Sequence, residues 1–241
     1  RITEHVYTFL SIPHRINRIN VRLIKNGSLI TSRPLELAAH FRDQVEIFDS
    51  VSSIYMGNTR GGLINSGRGP GSDDRYIILT ENNRRGKFRK YALDEDGNPG
   101  KVIATVPDFD ATSRSWYTMA LEEKGPVWSD IYILFTGKDM AIAASRPVYN
   151  KNRNFIGVVS VDIFLSQISN YLKHLKIGKS GAAFIVEKSG LLVASSDTKN
   201  PANIFNGDKQ ARRITAQESP DTLISAAAES FISKYGSFES V

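Results

Sequence analysis

The spacing of the apolar residues changes about a fifth of the way along the chain, and this change limits the possible folds. Before it, apolar residues recur every three or four positions, which predicts a long helix over residues 1–26 and a second helix after it. We expect Pro13 to kink or divide the first helix and Asn26-Gly27 to end it. Ser32 is the predicted N-cap of the second helix, with Pro34 in its first turn.

After this point the chain consists of short β-rich segments separated by clusters of Gly, Asn and Asp. The predicted strands are 51–56, 62–65, 76–80, 88–93, 102–106, 127–135, 140–148, 155–163, 183–188 and 191–195. Asp96-Gly97 predicts a hairpin turn between two of them. The predicted helices are about 114–123, 164–176 and 221–234. Adjacent antiparallel strands with helices before and among them indicate an α+β fold rather than alternating βαβ units.

The composition excludes several classes of function. The net charge is +6, but the basic residues are scattered rather than gathered in a stripe, so we expect no nucleic-acid partner. The absence of cysteine excludes disulfides, thiolate zinc sites and cysteine nucleophiles. The four histidines are dispersed, and the glycine-rich segment 67–72 lacks the Lys-Ser/Thr ending of a phosphate loop, so it is expected to be a flexible loop. We therefore expect no enzyme, no cofactor and no metal.

The start of the chain suggests that it is a piece of a longer protein. It begins with Arg1 inside a helical pattern, and no apolar run approaches the roughly 18 residues of a membrane span. Any signal or membrane anchor is therefore expected to lie outside this sequence.

Five separated segments together resemble a known family of sensor domains. In chain order they are FDATSRSWY, GPVWSDIY, ASRPVYN, GVVSVDI and KIGKSGAAFIVEKSGLLVASS. This order is similar to that of the double Cache (tandem PAS-like) domains, the extracytoplasmic ligand-binding parts of prokaryotic histidine kinases, chemoreceptors and nucleotide cyclases. The resemblance covers about residues 30–200 well and the last 40 residues loosely.

The resemblance implies a division of the chain into a long N-terminal helix and two PAS-like antiparallel-sheet modules, the second incomplete. The implied segments are a signalling and dimerisation helix (1–32), a membrane-distal ligand-binding module (33–163), a linker helix (164–178) and part of a membrane-proximal module (179–241). It also implies a membrane-anchored homodimer in the full-length protein.

Part of this family carries an amino-acid-binding pattern, which implies ligand roles for Arg114, Trp116, Tyr132 and Asp162. The pattern begins with a tyrosine five residues before the arginine, whereas this chain has Phe109 there. One hydroxyl expected to meet a ligand carboxylate is therefore missing.

The chemistry of FDATSRSWY suits one end of a zwitterion. A guanidinium pairs with a carboxylate through two hydrogen bonds, so Arg114 is a candidate for binding the ligand carboxylate. The indole N–H of Trp116 is a candidate hydrogen-bond donor to the same carboxylate. The alternatives are a surface salt bridge for Arg114 and core packing for Trp116. We expect Tyr117 to pack in the core, because neighbours on a helix point about 100° apart. Asp110 is expected to cap or orient the 114–123 helix.

Strand alternation and burial supply the other candidates. Within 127–135, alternation places Trp128, Asp130 and Tyr132 on one face, so Tyr132 is expected to touch the ligand and Asp130 is a second acidic candidate. The alternative for Asp130 is solvent exposure or a hydrogen bond at a turn. Asp162 ends an apolar run and is the expected counter-charge for an ammonium group. Its alternative role is an N-cap for the 164–176 helix.

The expected function is therefore an extracytoplasmic ligand-sensing domain of a transmembrane signal-transduction receptor, binding a small zwitterion or carboxylate. The alternatives are a sensor of an amine, an organic acid or a partner protein, and a structural module without a ligand. An extracytoplasmic hydrolase would need an acid/base pair or a metal cluster that the sequence does not indicate.

Overall fold

The computed structural model describes residues 2–69, 74–134, 140–175, 181–196, 203–206 and 210–240. Its contacts divide the chain into two compact units. The larger unit contains Tyr7–Ile131 and Ile142–Ile163, and the smaller unit contains Arg1–Val6, Tyr132–Ala141 and Phe164–Val241. The α+β fold class predicted from the sequence is confirmed.

The helices and strands follow the predicted order. The helices are α1 (Ile2–Lys25), α2 (Pro34–Ile47), α3 (Ser115–Glu123), α4 (Leu165–His174) and α5 (Thr222–Tyr235). The strands are β1 (Ser53–Asn58), β2 (Leu63–Arg68), β3 (Arg75–Thr80), β4 (Gly86–Leu93), β5 (Pro99–Phe109), β6 (Val127–Trp128), β7 (Tyr132–Ile133), β8 (Met140–Tyr149), β9 (Phe155–Phe164), β10 (Phe184–Val186), β11 (Leu192–Ser195), β12 (Asn203–Asn206) and β13 (Gln210–Arg213).

The first nine strands form one sheet in the order β5-β4-β3-β2-β1-β9-β8-β6, with β7 also paired to β8. Strands β1 to β5 form an antiparallel meander, and β9 pairs antiparallel with the other edge of β1. The last four strands form two separate two-stranded hairpins. Because β1 and β9 are neighbours, the residues that alternate along them line the same two faces at the middle of the sheet.

The helices α1 and α2 cover one face of this sheet with an apolar core. The core side chains come from both helices and from alternate positions of the central strands: Ile16, Ile24, Leu37, Ala38, Phe41, Val45, Val51, Ile54, Met56, Ile64, Ile77, Val148, Val159 and Val161. The Ser66 hydroxyl also donates to the Ala38 carbonyl oxygen at 2.6 Å. The apolar residues that recur every three or four positions in α1 and α2 therefore pack in one core with those that alternate along the strands.

Three local predictions are decided by the backbone. Pro13 lies inside α1, which runs unbroken from Ile2 to Lys25, so of the two expected outcomes, a kink or a division, the division is wrong. The N-cap of α2 is Arg33 rather than Ser32, with Pro34 at the first helical position as predicted. The Asp96-Gly97 hairpin turn is confirmed, since the Gly97 N–H donates to the Asp94 carbonyl and Gly97 has a φ of +76°.

The strand predicted over 127–135 is interrupted. Ser129 donates its N–H to the Ala143 carbonyl at 2.8 Å, and its hydroxyl accepts the Ala143 N–H at 3.0 Å. Trp128 pairs with Ala144 but Tyr132 pairs with Ala141, so this side of the ladder contains one extra residue. Such a bulge reverses the alternation. Trp128 and Tyr132 therefore lie on opposite faces, and the prediction of a shared face is wrong.

The smaller unit has its own apolar cluster. Leu192, Ile214, Ala216, Ile224 and Ala228 are buried together. The predicted hairpin of β10 and β11 is present, and α5 begins where the Asp221 carboxylate accepts the Leu223 N–H at 2.8 Å. No helix within the described ranges is long and apolar enough to cross a membrane. Residues 70–72 of the predicted glycine-rich loop and Phe135 lie outside the described residues. The loop prediction is wrong for Gly67 and Arg68, which are the last residues of β2.

Candidate ligand-binding site

The face of the sheet opposite α1 and α2 is polar but buried. Along β1, Ser53 and Tyr55 point to this face, while Ile54 and Met56 point to the apolar core. The strand registers place Asp162 of β9 opposite Ser53, and Asn65 of β2 opposite Tyr55. The four polar side chains are at most 7% exposed, so their polar atoms need partners within the protein or a ligand.

Asp162 is the centre of this polar cluster. It is 5% exposed, and its carboxylate accepts two hydroxyl protons, from Tyr55 at 2.6 Å and from Ser53 at 3.2 Å. Hydrogen bonds to an ionised carboxylate are stronger than those between neutral groups, and they offset part of the cost of burying the charge. Asp162 lies inside β9 and the N-cap of α4 is Phe164, so Asp162 does not have the alternative capping role.

Tyr76 adds a third hydroxyl to the cluster. It is buried on β3 and hydrogen-bonds Ser53. Burial raises the pKa of Tyr76, and the negative charge of Asp162 raises it further, so the hydroxyl keeps its proton at physiological pH. The Tyr76 hydroxyl lies directly above Gly67, where an added Cβ would approach it to 2.6 Å.

Trp116 of α3 packs onto the same cluster. Its ring meets the Tyr55 ring edge-to-face, with centroids 4.9 Å apart and planes at 79°. A Cβ at Gly57 would lie 2.6 Å from the Trp116 ring, so glycine at this position of β1 lets the indole approach the sheet. Trp116 and Asp162 are thus joined through Tyr55, which contacts both.

Tyr117 has the core role predicted for it. The side chain is 2% exposed, and its ring lies edge-to-face with Phe155 at 6.1 Å. Burial raises the pKa of Tyr117 to about 12, with a further contribution from the charge of Asp110.

The segment before α3 differs in detail from the prediction. Asp110 caps the short 3-10 turn Ala111–Ser113, accepting the Thr112 N–H at 2.9 Å, and does not cap α3. Arg114 is the N-cap of α3, and its carbonyl oxygen accepts the N–H groups of Tyr117 and Thr118. The half-buried Arg114 side chain therefore leaves the backbone at the N-terminus of a nine-residue helix, the end that favours negative charge.

Phe109, where the family pattern has tyrosine, occupies an apolar environment. It is 4% exposed at the end of β5 and meets Phe88 edge-to-face, with centroids 5.2 Å apart. The ring is therefore packed as a hydrophobic side chain, and this position brings an aromatic wall without a hydroxyl.

The two remaining candidates lie around the bulge. Asp130 is exposed, and its backbone carbonyl accepts the Ser129 hydroxyl at 2.7 Å. Tyr132 is half-buried on β7, which belongs to the smaller unit. Their ligand roles stay predictions, as do those of Arg114, Trp116, Asp162 and Phe109.

Sequence reasoning did not find Ser53, Tyr55, Asn65 and Tyr76. The signal was the alternation in SIYMGN, where Ser and Tyr share one face and Ile and Met the other. The same reading of LINSGR places Asn65 and Gly67 on a common face. Over the described part of the chain, no group of three or more His, Asp or Glu residues is arranged to hold a metal ion.

The chain matches one protein-family model over most of its length and is similar in sequence to bacterial chemotaxis proteins. The family model for the Cache domain matches residues 15–236. The chain is 32% identical to the methyl-accepting chemotaxis protein McpC of Bacillus subtilis over 136 residues, 54% of this chain and 19% of that protein. It is 30% identical to TlpB of the same organism over 151 residues, 56% of this chain and 22% of that protein. The chain thus spans about a fifth of the length of these relatives.

Two solved ligand-binding domains share the fold. One is that of the Campylobacter jejuni chemoreceptor Tlp3 in complex with 4-methylisoleucine, at a TM-score of 0.54 and 14% identity, covering 87% of this chain and 68% of the other. The second is that of the Pseudomonas aeruginosa PAO1 amino acid chemoreceptor PctC in complex with GABA, at a TM-score of 0.53 and 16% identity, covering 81% and 72%.

Proposed function

This chain belongs to the Cache domain family, and on that premise we propose that it senses a small amino-acid-like zwitterion for a transmembrane signal-transduction receptor. The family membership agrees with the expected sensor domain rather than an enzyme. The site we assign is the polar cluster around Asp162 together with the start of α3.

The observation that carries the proposal is the buried carboxylate of Asp162, held by the hydroxyls of Tyr55 and Ser53, with the Trp116 ring packed against Tyr55. A carboxylate fixed in this way is prearranged for a cation, because its orientation does not have to be set when the ligand arrives. The ligand ammonium would bind at Asp162, and Arg114 at the N-terminus of α3 would bind the ligand carboxylate. Asp130 is proposed as a further contact from the bulged segment, and the ligand role of Tyr132 stays a prediction from the sequence.

The receptor context is proposed from the relatives. The matched proteins from Bacillus subtilis are methyl-accepting chemotaxis proteins, and the solved neighbours with the same fold are chemoreceptor ligand-binding domains in complex with 4-methylisoleucine and GABA. We assign the domain to the extracytoplasmic side of a membrane-anchored protein that dimerises through its N-terminal helix. In this arrangement residues 33–163 are the ligand-binding module and 164–178 the linker to a partial second module, 179–241.

An amine is the second candidate ligand, and Phe109 favours it. The hydroxyl that the family pattern offers to a carboxylate is replaced by a phenyl ring packed on Phe88. A ligand that needs only the ammonium half of the site would lose nothing from this replacement.

A thermal-shift screen of L-amino acids, primary amines and organic acids tests the proposal. A ligand at 100 times its Kd stabilises the folded state by about 2.7 kcal/mol, which raises the Tm by several degrees. We expect Asp162→Asn and Arg114→Ala to abolish the shift produced by amino acids, and Arg114→Ala to spare a shift produced by amines.

The exposed Arg18 on α1 provides a matched control, because Arg18→Ala removes the same side chain away from the site. The proposed site is wrong if the ligand shift is unchanged in both the Asp162 and Arg114 variants.

A further inference from the structure

The side-chain amide of Asn65 has one end in the polar cluster and, among the described residues, no partner at the other end. Asn65 is 7% exposed and lies opposite Tyr55, so it faces the same side of the sheet. Its Nδ2 donates to the Ser53 hydroxyl oxygen at 3.4 Å. Within the described ranges, Asn65 Oδ1 is buried and has no hydrogen-bond partner.

The protons of the cluster determine which way this amide points. Ser53 has one hydroxyl proton, and it is donated to Asp162 Oδ2 at 3.2 Å. Towards Asn65, the Ser53 oxygen can therefore only accept, and the amide must present its nitrogen. An inverted amide would place two acceptors against each other. The donors and acceptors around Ser53 therefore determine the orientation of the amide, with Nδ2 towards Ser53 and Oδ1 turned away from it.

A buried acceptor without a donor lowers stability, and folded proteins contain few of them. Here a second acceptor, the Asp162 carboxylate, belongs to the same polar cluster. Asn65 Nδ2 and Asp162 Oδ2 both bond the Ser53 hydroxyl, so the two side chains lie on one face of the sheet with a single hydroxyl between them. A carboxylate and an amide oxygen on one face suit a ligand that brings two or more N–H donors. A primary ammonium has three.

We propose that Asn65 Oδ1 accepts a second N–H from the ammonium group that Asp162 binds, and that Asn65 thereby selects primary ammonium ligands over N-methylated ones. This inference rests on the proposed function and concerns the same site. A dimethylated ammonium has one N–H, which goes to Asp162 because the charged acceptor forms the stronger bond. It therefore offers no N–H to Asn65 Oδ1.

Calorimetric titration of the wild type and of Asn65→Leu tests this selectivity. The probes are L-valine and 4-aminobutyrate, each with its N,N-dimethyl derivative, and n-butylamine. We expect Asn65→Leu to lower the affinity for the primary ammonium compounds about tenfold, and to change the affinity for the dimethyl derivatives by less than about twofold. A purely structural role of Asn65 would lower both affinities alike.

Asn17 supplies a matched control. Asn17 is a buried asparagine whose Oδ1, like that of Asn65, has no partner within the described residues. It lies on α1, where its Nδ2 donates to the Ala144 carbonyl at 2.7 Å. We expect Asn17→Leu to leave the ratio of the two affinities unchanged. Asn65→Ala replaces the leucine variant if the latter does not fold.

The outcomes separate the two proposals. Equal losses for primary and dimethylated ligands in the Asn65 variants would overturn the selectivity and leave the sensor function standing. If none of the three primary ammonium probes binds the wild type, recognition of an ammonium group at Asp162 is wrong, and both proposals are overturned.

Discussion

The two faces of the central sheet are equally buried but chemically opposite, and adjacent residues of one strand belong to each. Ile54 is 0% exposed in the apolar core under α1 and α2, and Tyr55 is 3% exposed in the polar cluster with its hydroxyl on Asp162. Burial alone therefore does not indicate what a residue does in this domain. The two faces differ in the contacts that their side chains need: apolar packing on one face, and hydrogen-bond partners on the other.

The apolar face gains stability from every methylene removed from water, about 25 cal/mol per Å². The polar face gains little, because each hydrogen bond made there replaces one made to water. Replacing buried charged groups by apolar residues of similar volume often leaves the stability of a fold unchanged or raises it. The polar set of Ser53, Tyr55, Asn65, Tyr76 and Asp162 is therefore better explained by recognition of a polar ligand than by the needs of folding.

The largest effect is expected on the apolar face. Ile54→Ala removes a fully buried side chain from the core and leaves a cavity, which costs about 2–5 kcal/mol of unfolding free energy. Urea denaturation of both proteins measures this cost.

Ile19 on α1 is 46% exposed, so Ile19→Ala makes the same chemical change outside the core and is expected to cost within about 0.5 kcal/mol. Similar losses in the two variants would mean that the helix-covered face is not the main source of stability.

A smaller loss of stability is expected on the polar face. Tyr55→Phe keeps the ring that contacts Trp116 but removes the hydrogen bond donated to Asp162. We expect this to lower the unfolding free energy, measured by urea denaturation, by about 1.5–3 kcal/mol. Ligand binding should weaken in addition, because the Asp162 carboxylate loses the bond that orients it. Tyr7 is 74% exposed, and Tyr7→Phe is the control for loss of a hydroxyl.

The contrast between the faces would not hold if Tyr55→Phe destabilised the protein as much as Ile54→Ala while leaving ligand affinity intact. The polar cluster would then be a structural network, and its buried hydroxyls would have to be counted with the core.

The elements of this fold could be predicted wherever one local rule decided the outcome. The three-to-four spacing indicated α1 despite Pro13, and Asp96-Gly97 indicated its hairpin because Gly97 tolerates a positive φ. Asp162 stood out because a carboxylate follows a run of apolar residues in β9. Each of these signals lies within one short segment, so no knowledge of partner strands was needed.

The parts that could not be predicted depend on pairings between distant segments. The reversal between Trp128 and Tyr132 arises from the Ser129 contacts with Ala143, a residue of another strand. The partners of Asp162 also come from elsewhere in the chain, since Tyr55 lies 107 positions away. Alternation can tell which residues of a strand share a face, but the strand order decides which faces meet.

The smallest effect concerns a polar group on the apolar side. His14 of α1 meets the Trp128 ring edge-to-face at 5.0 Å, and its Nδ1 has no hydrogen-bond partner within the described ranges. Burial lowers the pKa of His14 below 6.5, and the positive charge of Arg146 lowers it further. The unfolded chain therefore binds a proton before the folded one does as the pH falls.

Protonation of His14 therefore favours the unfolded state as the pH falls. Above about pH 6.5 the His14 ring is neutral in the folded and the unfolded state, so it does not make the unfolding free energy depend on pH. Below about pH 6.5 the unfolding free energy decreases as the pH falls, until the pKa of His14 in the folded state is passed. We expect His14→Gln to reduce the loss of unfolding free energy between about pH 7.5 and pH 5 by less than about 1 kcal/mol. Substitution of the exposed His5 by Gln should leave that loss as in the wild type. If His14→Gln has the wild-type pH dependence, His14 does not resist protonation, and the helix-covered face accommodates a charge as readily as solvent does.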